Sequence, residues 1–288
     1  MKTQSFPAAL AVPLVALALF SAHAEDPAAA AAKKIFNENK DSVIWVSAVA
    51  KMSFSSADGK SLPFNIPERE QKFEALGTII DASGLLVAAL SNLDPTKDIT
   101  GREINTPNGR MKIEASAILK EVRIILPDGT EVPADMVMKD ADLDLAFVKP
   151  KPDSKEAKGV TFKAVDLKNS VAGNITDEVV TVSRMDEILN RQPAVQRGQI
   201  VAVTQKPRTF LRVSGAIPGC PTFALDGKLL GLSVNRSNKE KPPVTVVLPA
   251  ADVLEDAEQA KSAKPIAAEE PKPKEAPKSD EKKDAPAK

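Results

Sequence analysis

From Val43 to about Leu248 the chain is cut into short apolar, β-branched runs separated by Gly, Pro, Asn and Asp, and this punctuation constrains the fold more than any other feature. Strands recurring at such spacing, with turn residues between them, specify an all-β sandwich or barrel. A first strand is expected over Val43–Met52. Ala75–Ile80 leads through Asp81-Ala82-Ser83-Gly84 into Leu85–Leu90, a hairpin of two buried strands. Val122–Leu126 turns at Pro127-Asp128-Gly129, and further strands are expected at 145–148, 179–183, 199–204, 210–213, 228–234 and 244–248. The polar stretch Pro95–Ala117 is longer than an ordinary connection and is expected to form a surface loop or excursion.

The ends read differently. Lys2, an uncharged apolar run from Phe6 to Phe20 and the small residues of Ala22-His23-Ala24 have the pattern of a signal peptide cleaved after Ala24. The run is shorter than the roughly 20 residues that span a bilayer, and no other stretch could span one, so no transmembrane segment is expected after cleavage. Residues 25–32, mostly alanine, read as a spacer, followed by a short helix from Lys33 that hands over to the first strand. A terminal helix is expected over 250–260. The Lys, Glu, Pro and Ala tail 261–288 holds no large apolar side chain except Ile266, and is expected to be disordered. The folded domain is thereby expected over 33–260.

Composition narrows the chemistry. Lys and Arg together number 39 and Asp and Glu 39, so no field of one sign favours nucleic acid or an anionic membrane. The one histidine, His23, lies in the leader, which removes imidazole-based metal sites and ordinary Ser-His or Cys-His mechanisms from the mature chain. No metal or cofactor is expected. One cysteine, Cys220, cannot form an internal disulfide, so the core alone must stabilise the fold.

The order of these elements, with Leu76-Gly77-Thr78-Ile79-Ile80, Asp144-Leu145-Ala146-Phe147-Val148 and Pro221-Thr222-Phe223-Ala224-Leu225-Asp226-Gly227, resembles the trypsin-like serine peptidases, most closely the Deg/HtrA type of bacterial envelopes. The resemblance covers roughly 33–260 and implies a double β-barrel. Each segment should carry one member of the catalytic triad. Where the family ends a strand in a histidine-containing tetrad, this chain has Ala88-Ala89-Leu90-Ser91. Ser91, or Leu90 with a one-residue slip, then stands at the general base, and neither can cycle a proton near neutral pH. Asp144 matches the orienting aspartate, with Asp142 a lesser alternative, and has no histidine to orient; acceptance of backbone N–H bonds is its expected role. Counting back from Asp226-Gly227 puts Pro218 at the nucleophile. An alternative alignment deletes the serine, and in either register no serine lies between Gly215 and Pro221.

Proline also lacks the N–H that the fold uses as one oxyanion donor. In the triad template, loss of nucleophile or base costs about a million-fold in rate. Cys220 chemistry would need a cationic neighbour to form a thiolate, and a serine–lysine dyad on Ser91 or Ser214 has no lysine placed by sequence. The expectation is a catalytically silent framework. In the family, the strand after the nucleophile loop adds an extended peptide, which assigns Leu232, Ser233, Val234 and Asn235 to peptide binding. A peptide or envelope protein is the expected partner, an envelope structural role through another surface is the alternative, and no PDZ domain is expected after residue 260.

Overall fold

The computed structural model describes residues 26–57, 62, 68–107, 109–238 and 241–266. In chain order the elements are α1 (Pro27–Asn39), β1 (Val43–Ser56), β2 (Arg69–Ile79), β3 (Leu86–Ala89), α2 (Leu90–Leu93), α3 (Thr96–Ile99), β4 (Glu103–Thr106), β5 (Gly109–Ile125), β6 (Glu131–Asp140) and β7 (Leu145–Pro150). After an irregular linker come β8 (Glu178–Arg184), a 3-10 turn (Glu187–Leu189), β9 (Pro193–Thr204), β10 (Phe210–Val213), β11 (Pro221–Ala224), β12 (Leu229–Asn238), β13 (Lys241–Pro249) and α4 (Ala250–Ser262).

These strands form two antiparallel barrels. The first runs β1-β2-β3-β7-β6-β5 and is closed by β1 pairing with β5, while β4 hangs on β5. The second closes as β10-β13-β12-β11-β8-β9. Ile44, Val46, Ile79, Leu86, Ala88, Ile124 and Val148 fill the first barrel. Val179, Ile200, Leu211, Val213, Leu230 and Val247 fill the second. Where the barrels meet, strands are buried on both faces: Val87, Leu145 and Phe147 pack with Val180, Val182, Phe223, Leu232 and Val234. This is why Leu85–Leu90 is an unbroken apolar run rather than an alternating one.

Three expectations change. The alanine-rich spacer is helix: α1 starts at Pro27, capped by Asp26, whose carboxylate accepts from the Ala28 N–H at 3.0 Å. Its small side chains let Ala28, Ala32 and Ile35 bury against the second barrel, where Asp26 also pairs with Arg197 at 2.6 Å. The 95–117 segment is not a loop but α3 and a β4–β5 hairpin, and β5 stays paired with β1 out to Ser56 opposite Ile113. The start of the expected tail is bound: α4 runs to Ser262, and the Ile266 N–H donates to Met136 O at 2.8 Å. The expected signal peptide, residues 1–24, and residues 267–288 lie outside the described residues.

Candidate functional site

Asp144 sits at the end of the β6–β7 turn with φ +62°, a left-handed conformation that Asp tolerates better than most side chains. The turn is shaped by Asp140, whose carboxylate accepts from the Asp142 and Leu143 N–H groups at 2.7 and 2.8 Å. So placed, Asp144 is 6% exposed and its carboxylate lies in the crease between the barrels. One oxygen accepts from the Ser91 N–H at 2.7 Å; the other accepts from the Asn235 N–H at 2.7 Å and from Ser91 Oγ at 3.2 Å. Ser91 belongs to the first barrel and Asn235 to the second, so the carboxylate bridges the two.

Of the two candidates for the general-base slot, Ser91 meets Asp144, whereas Leu90 is buried in the first barrel's core. Asp142 is exposed and offers the site only its backbone oxygen, which accepts from Arg236. The network has members that the sequence did not reveal. The Asn235 amide donates to Ser91 Oγ at 3.1 Å and to Asn92 Oδ1 at 3.3 Å, and its own oxygen accepts from Thr245 Oγ1 at 3.1 Å. Asn92 and Thr245 carry no motif; the signal is the Asn235–Thr245 cross-strand pairing, visible only once the β12–β13 register is known.

Pro218 and Gly219 are the middle of a β-turn closed by Cys220 N–H on Ile217 O at 3.0 Å, and Gly219 has φ +82°, as a type II turn requires. The turn is bonded down on both sides. The Gly219 N–H donates to Ser233 O at 2.7 Å, the Ser233 N–H donates to Cys220 O at 2.9 Å, and Thr78 Oγ1 donates to Gly219 O at 2.7 Å. A Cβ on Gly219 would stand 1.9 Å from Leu76 O, so the turn lies directly on the β2 backbone. In this segment the N–H after the expected nucleophile position is spent on a carbonyl within the fold. Cys220 is 0% exposed, and burial pushes its thiol far above the ordinary range, which removes it as a thiolate. Neither serine bonds a lysine amine among the described residues: Ser91 Oγ is held by Asp144 and Asn235, and Ser214 Oγ by the Gln199 backbone.

Leu232, Ser233 and Val234 are buried in the barrel wall rather than exposed on an edge. Leu232 pairs with Pro221 on β11 and with Leu248 on β13, the Ser233 backbone bonds the 219–220 turn, and the Asn235 N–H is taken by Asp144. Residues 232–234 therefore offer no open strand edge. Beyond Leu232, among the described residues, β12 pairs with β13 alone, through Arg236 opposite Val244. The described residues contain no cluster of three or more His, Cys, Asp or Glu side chains placed to hold a metal, and no helix long and apolar enough to cross a membrane.

Comparison with known proteins agrees with this architecture. The serine endoprotease from Yersinia pestis shares the fold with a TM-score of 0.51 and 14% identity, over 80% of this chain and 66% of that one. The apo crystal structure of the MamO protease domain from Magnetospirillum magneticum aligns over 77% of this chain and 98% of that domain, with 14% identity and a TM-score of 0.47. No curated protein sequence matches. The family model of the trypsin-like peptidase domain matches residues 75–232, more than half of the chain and all three segments that the triad would occupy. This chain belongs to the trypsin-like peptidase family.

Proposed function

We propose that the chain is a non-catalytic member of its family, exported to the cell envelope, that binds an extended peptide segment of an envelope protein along the outer half of β12. The observation that carries this reading is a contrast within one crease. The groups that would perform the chemistry are consumed by the fold: Asp144 by Ser91 and Asn235, and the Gly219 N–H by Ser233. Beyond Leu232 the strand beside them has β13 as its one strand neighbour among the described residues, with the Asn235 N–H given to Asp144. An extended chain gains backbone hydrogen bonds by lying on such an edge. Export is supported by the leader pattern at Lys2, Phe6–Phe20 and Ala22-His23-Ala24.

The test uses the purified full chain with a fluorophosphonate, a thiol-directed probe and a fluorogenic peptide library, beside binding titrations of the same library in uncleavable form. The expected result is no labelling and no turnover, with saturable binding that protects the β12 backbone amides from hydrogen exchange. Labelling that scales with peptide turnover overturns the silent reading, and protection that maps away from β12 overturns the placement.

A further inference from the structure

α4 follows the last strand of the second barrel, and the chain beyond it ends on the first, where the Ile266 N–H donates to Met136 O at 2.8 Å. Between these points the helix lies across the seam. Ala250, Val253, Ala257 and Ala260 bury in the same cluster as Ile80, Leu85, Val165 and Leu232, with Leu254 half-buried beside them. Side chains this small remove modest apolar area from water, so the hydrophobic hold on the helix is limited. Its ionic holds are at the surface: Lys261 faces Asp81 at 4.0 Å and Glu258 at 2.9 Å, and such pairs add little.

One group on α4 works against this seating. Asp256 is half-buried, and its Oδ2 is enclosed with no hydrogen-bond partner among the described residues. Its neighbours are mostly of its own sign: Asp140 at the end of β6, and Asp252 and Glu255 on α4. The Asp140 carboxylate is fixed by the Asp142 and Leu143 N–H groups, and Asp252 stands four residues before Asp256, where a like charge is unfavourable. Arg208 is the opposing cation, but Asp252 already pairs with it at 3.4 Å. Farther off, Arg236 donates to the Asp142 backbone, and Asp81, Asp166 and Lys168 line a cavity with Glu258 and Lys261. Burial first and Asp140 next hold the Asp256 carboxyl above the usual carboxylate range. A lifted helix returns Asp256 to water. The seated helix therefore holds the proton more firmly, and seating weakens as pH rises through the seated value.

We infer that α4 with its extension to Ile266 is a pH-responsive strap, seated across the seam in acid and opening locally more often as Asp256 ionises, while both barrels stay closed. Opening uncovers the apolar strip at the barrel junction that Val253, Ala257 and Ala260 cover. It also frees the β6–β7 turn from its acidic neighbour, and this is the turn that carries Asp144. The strap thus ties acidity to how well the crease is covered.

Amide hydrogen exchange of the full chain, followed from about pH 4 to about pH 7 with each rate divided by its intrinsic value, reads local opening directly. Amides from Leu254 to Lys261 should open severalfold more often at the neutral end, measured against core amides of β1 and β12 that report global unfolding. Asp256→Asn should hold α4 at the acid-like opening frequency throughout the range. An α4 opening frequency that does not change with pH overturns the inference. A rise shared equally by the core amides shows global loosening and overturns the local strap. A rise that persists in Asp256→Asn belongs to another group and overturns the assignment to Asp256.

Discussion

Replacing Asp144 with asparagine tests whether this carboxylate is a mechanical bridge between the barrels. Asparagine preserves shape and tolerates the left-handed backbone at φ +62°, so the substitution removes charge and one acceptor without adding strain. Asp144 accepts from the Ser91 N–H, the Asn235 N–H and Ser91 Oγ. An amide offers one oxygen, which can keep one of the two N–H groups, and its NH2 must then face the other. A hydrogen bond to a charged acceptor contributes about 1.5–3 kcal/mol, and a buried donor left unpaired costs about 1–3 kcal/mol. The hydroxyl can turn to accept from the new NH2 and recovers part of the loss. The expected destabilisation is about 3 kcal/mol, a fall in Tm of roughly 6–12 °C for a fold of this size. Urea denaturation followed by tryptophan fluorescence reads it well, because Trp45 sits at the barrel contact with its Nε1–H on Met185 O at 2.8 Å. Ser91→Ala, which keeps its backbone N–H, should cost only about 1 kcal/mol. If Asp144→Asn changes stability by less than about 0.5 kcal/mol, a difference ordinary for surface sites, the bridge argument is refuted.

Other substitutions probe the remaining parts. Gly219→Ala should destabilise by several kcal/mol, on the order of a severe core change, because φ +82° disfavours a side chain and the new Cβ would meet Leu76 O; an unchanged melt would show that the turn can lift off β2. Ser91→His puts an imidazole beside Asp144 but supplies no nucleophile, so fluorogenic peptide turnover should stay at background, and measurable turnover would mean that another nucleophile exists. Asp256 on α4 is held above the usual carboxylate range, chiefly by burial and next by Asp140, and one of its oxygens is buried without a hydrogen bond. Its protonated form is the one the fold prefers, so its contribution is complete below the unfolded pKa of about 3.9 and is lost as pH rises through the higher folded value. Asp256→Asn should therefore raise Tm at neutral pH and lose that advantage in acid. An advantage that persists in acid would contradict the assignment.

Much of the fold was readable because its turns are chemically explicit. Asp128-Gly129 and Asp226-Gly227 mark hairpins by residue type alone, and both glycines have positive φ. Asp144 was also readable, along with its role as a backbone acceptor. The first two turns of α1 were missed because alanine marks a flexible spacer and a good helix former equally; Asp26-Pro27 was the deciding start signal. The β4–β5 hairpin was missed although Met111, Ile113, Ala115, Ala117 and Leu119 alternate along β5, because the polar sequence around Pro107 reads as loop and the Thr106–Gly109 pairing is visible only in the register. Where β12 loses its second neighbour could not be placed locally at all. It is set by where β11 stops pairing with β12, a matter of register between strands, and so Leu232, Ser233 and Val234 read as exposed although they are buried.

The bonds across the crease also bear on how the molecule holds together as a chain. Thr78 reaches Gly219, Trp45 reaches Met185, Arg184 donates to Val43 O and Lys40 O, and Asp144 takes the Asn235 N–H, all beside a shared apolar seam. The covalent connection between the barrels is by contrast irregular from Lys151 to Asp177 and exposed around Lys155, Glu156 and Lys158, and a Cβ at Gly159 would touch nothing. The peptide link is then dispensable to the assembled state. Cut once at Lys158, the two pieces should remain a single particle, and expressed separately they should find one another as complementary halves.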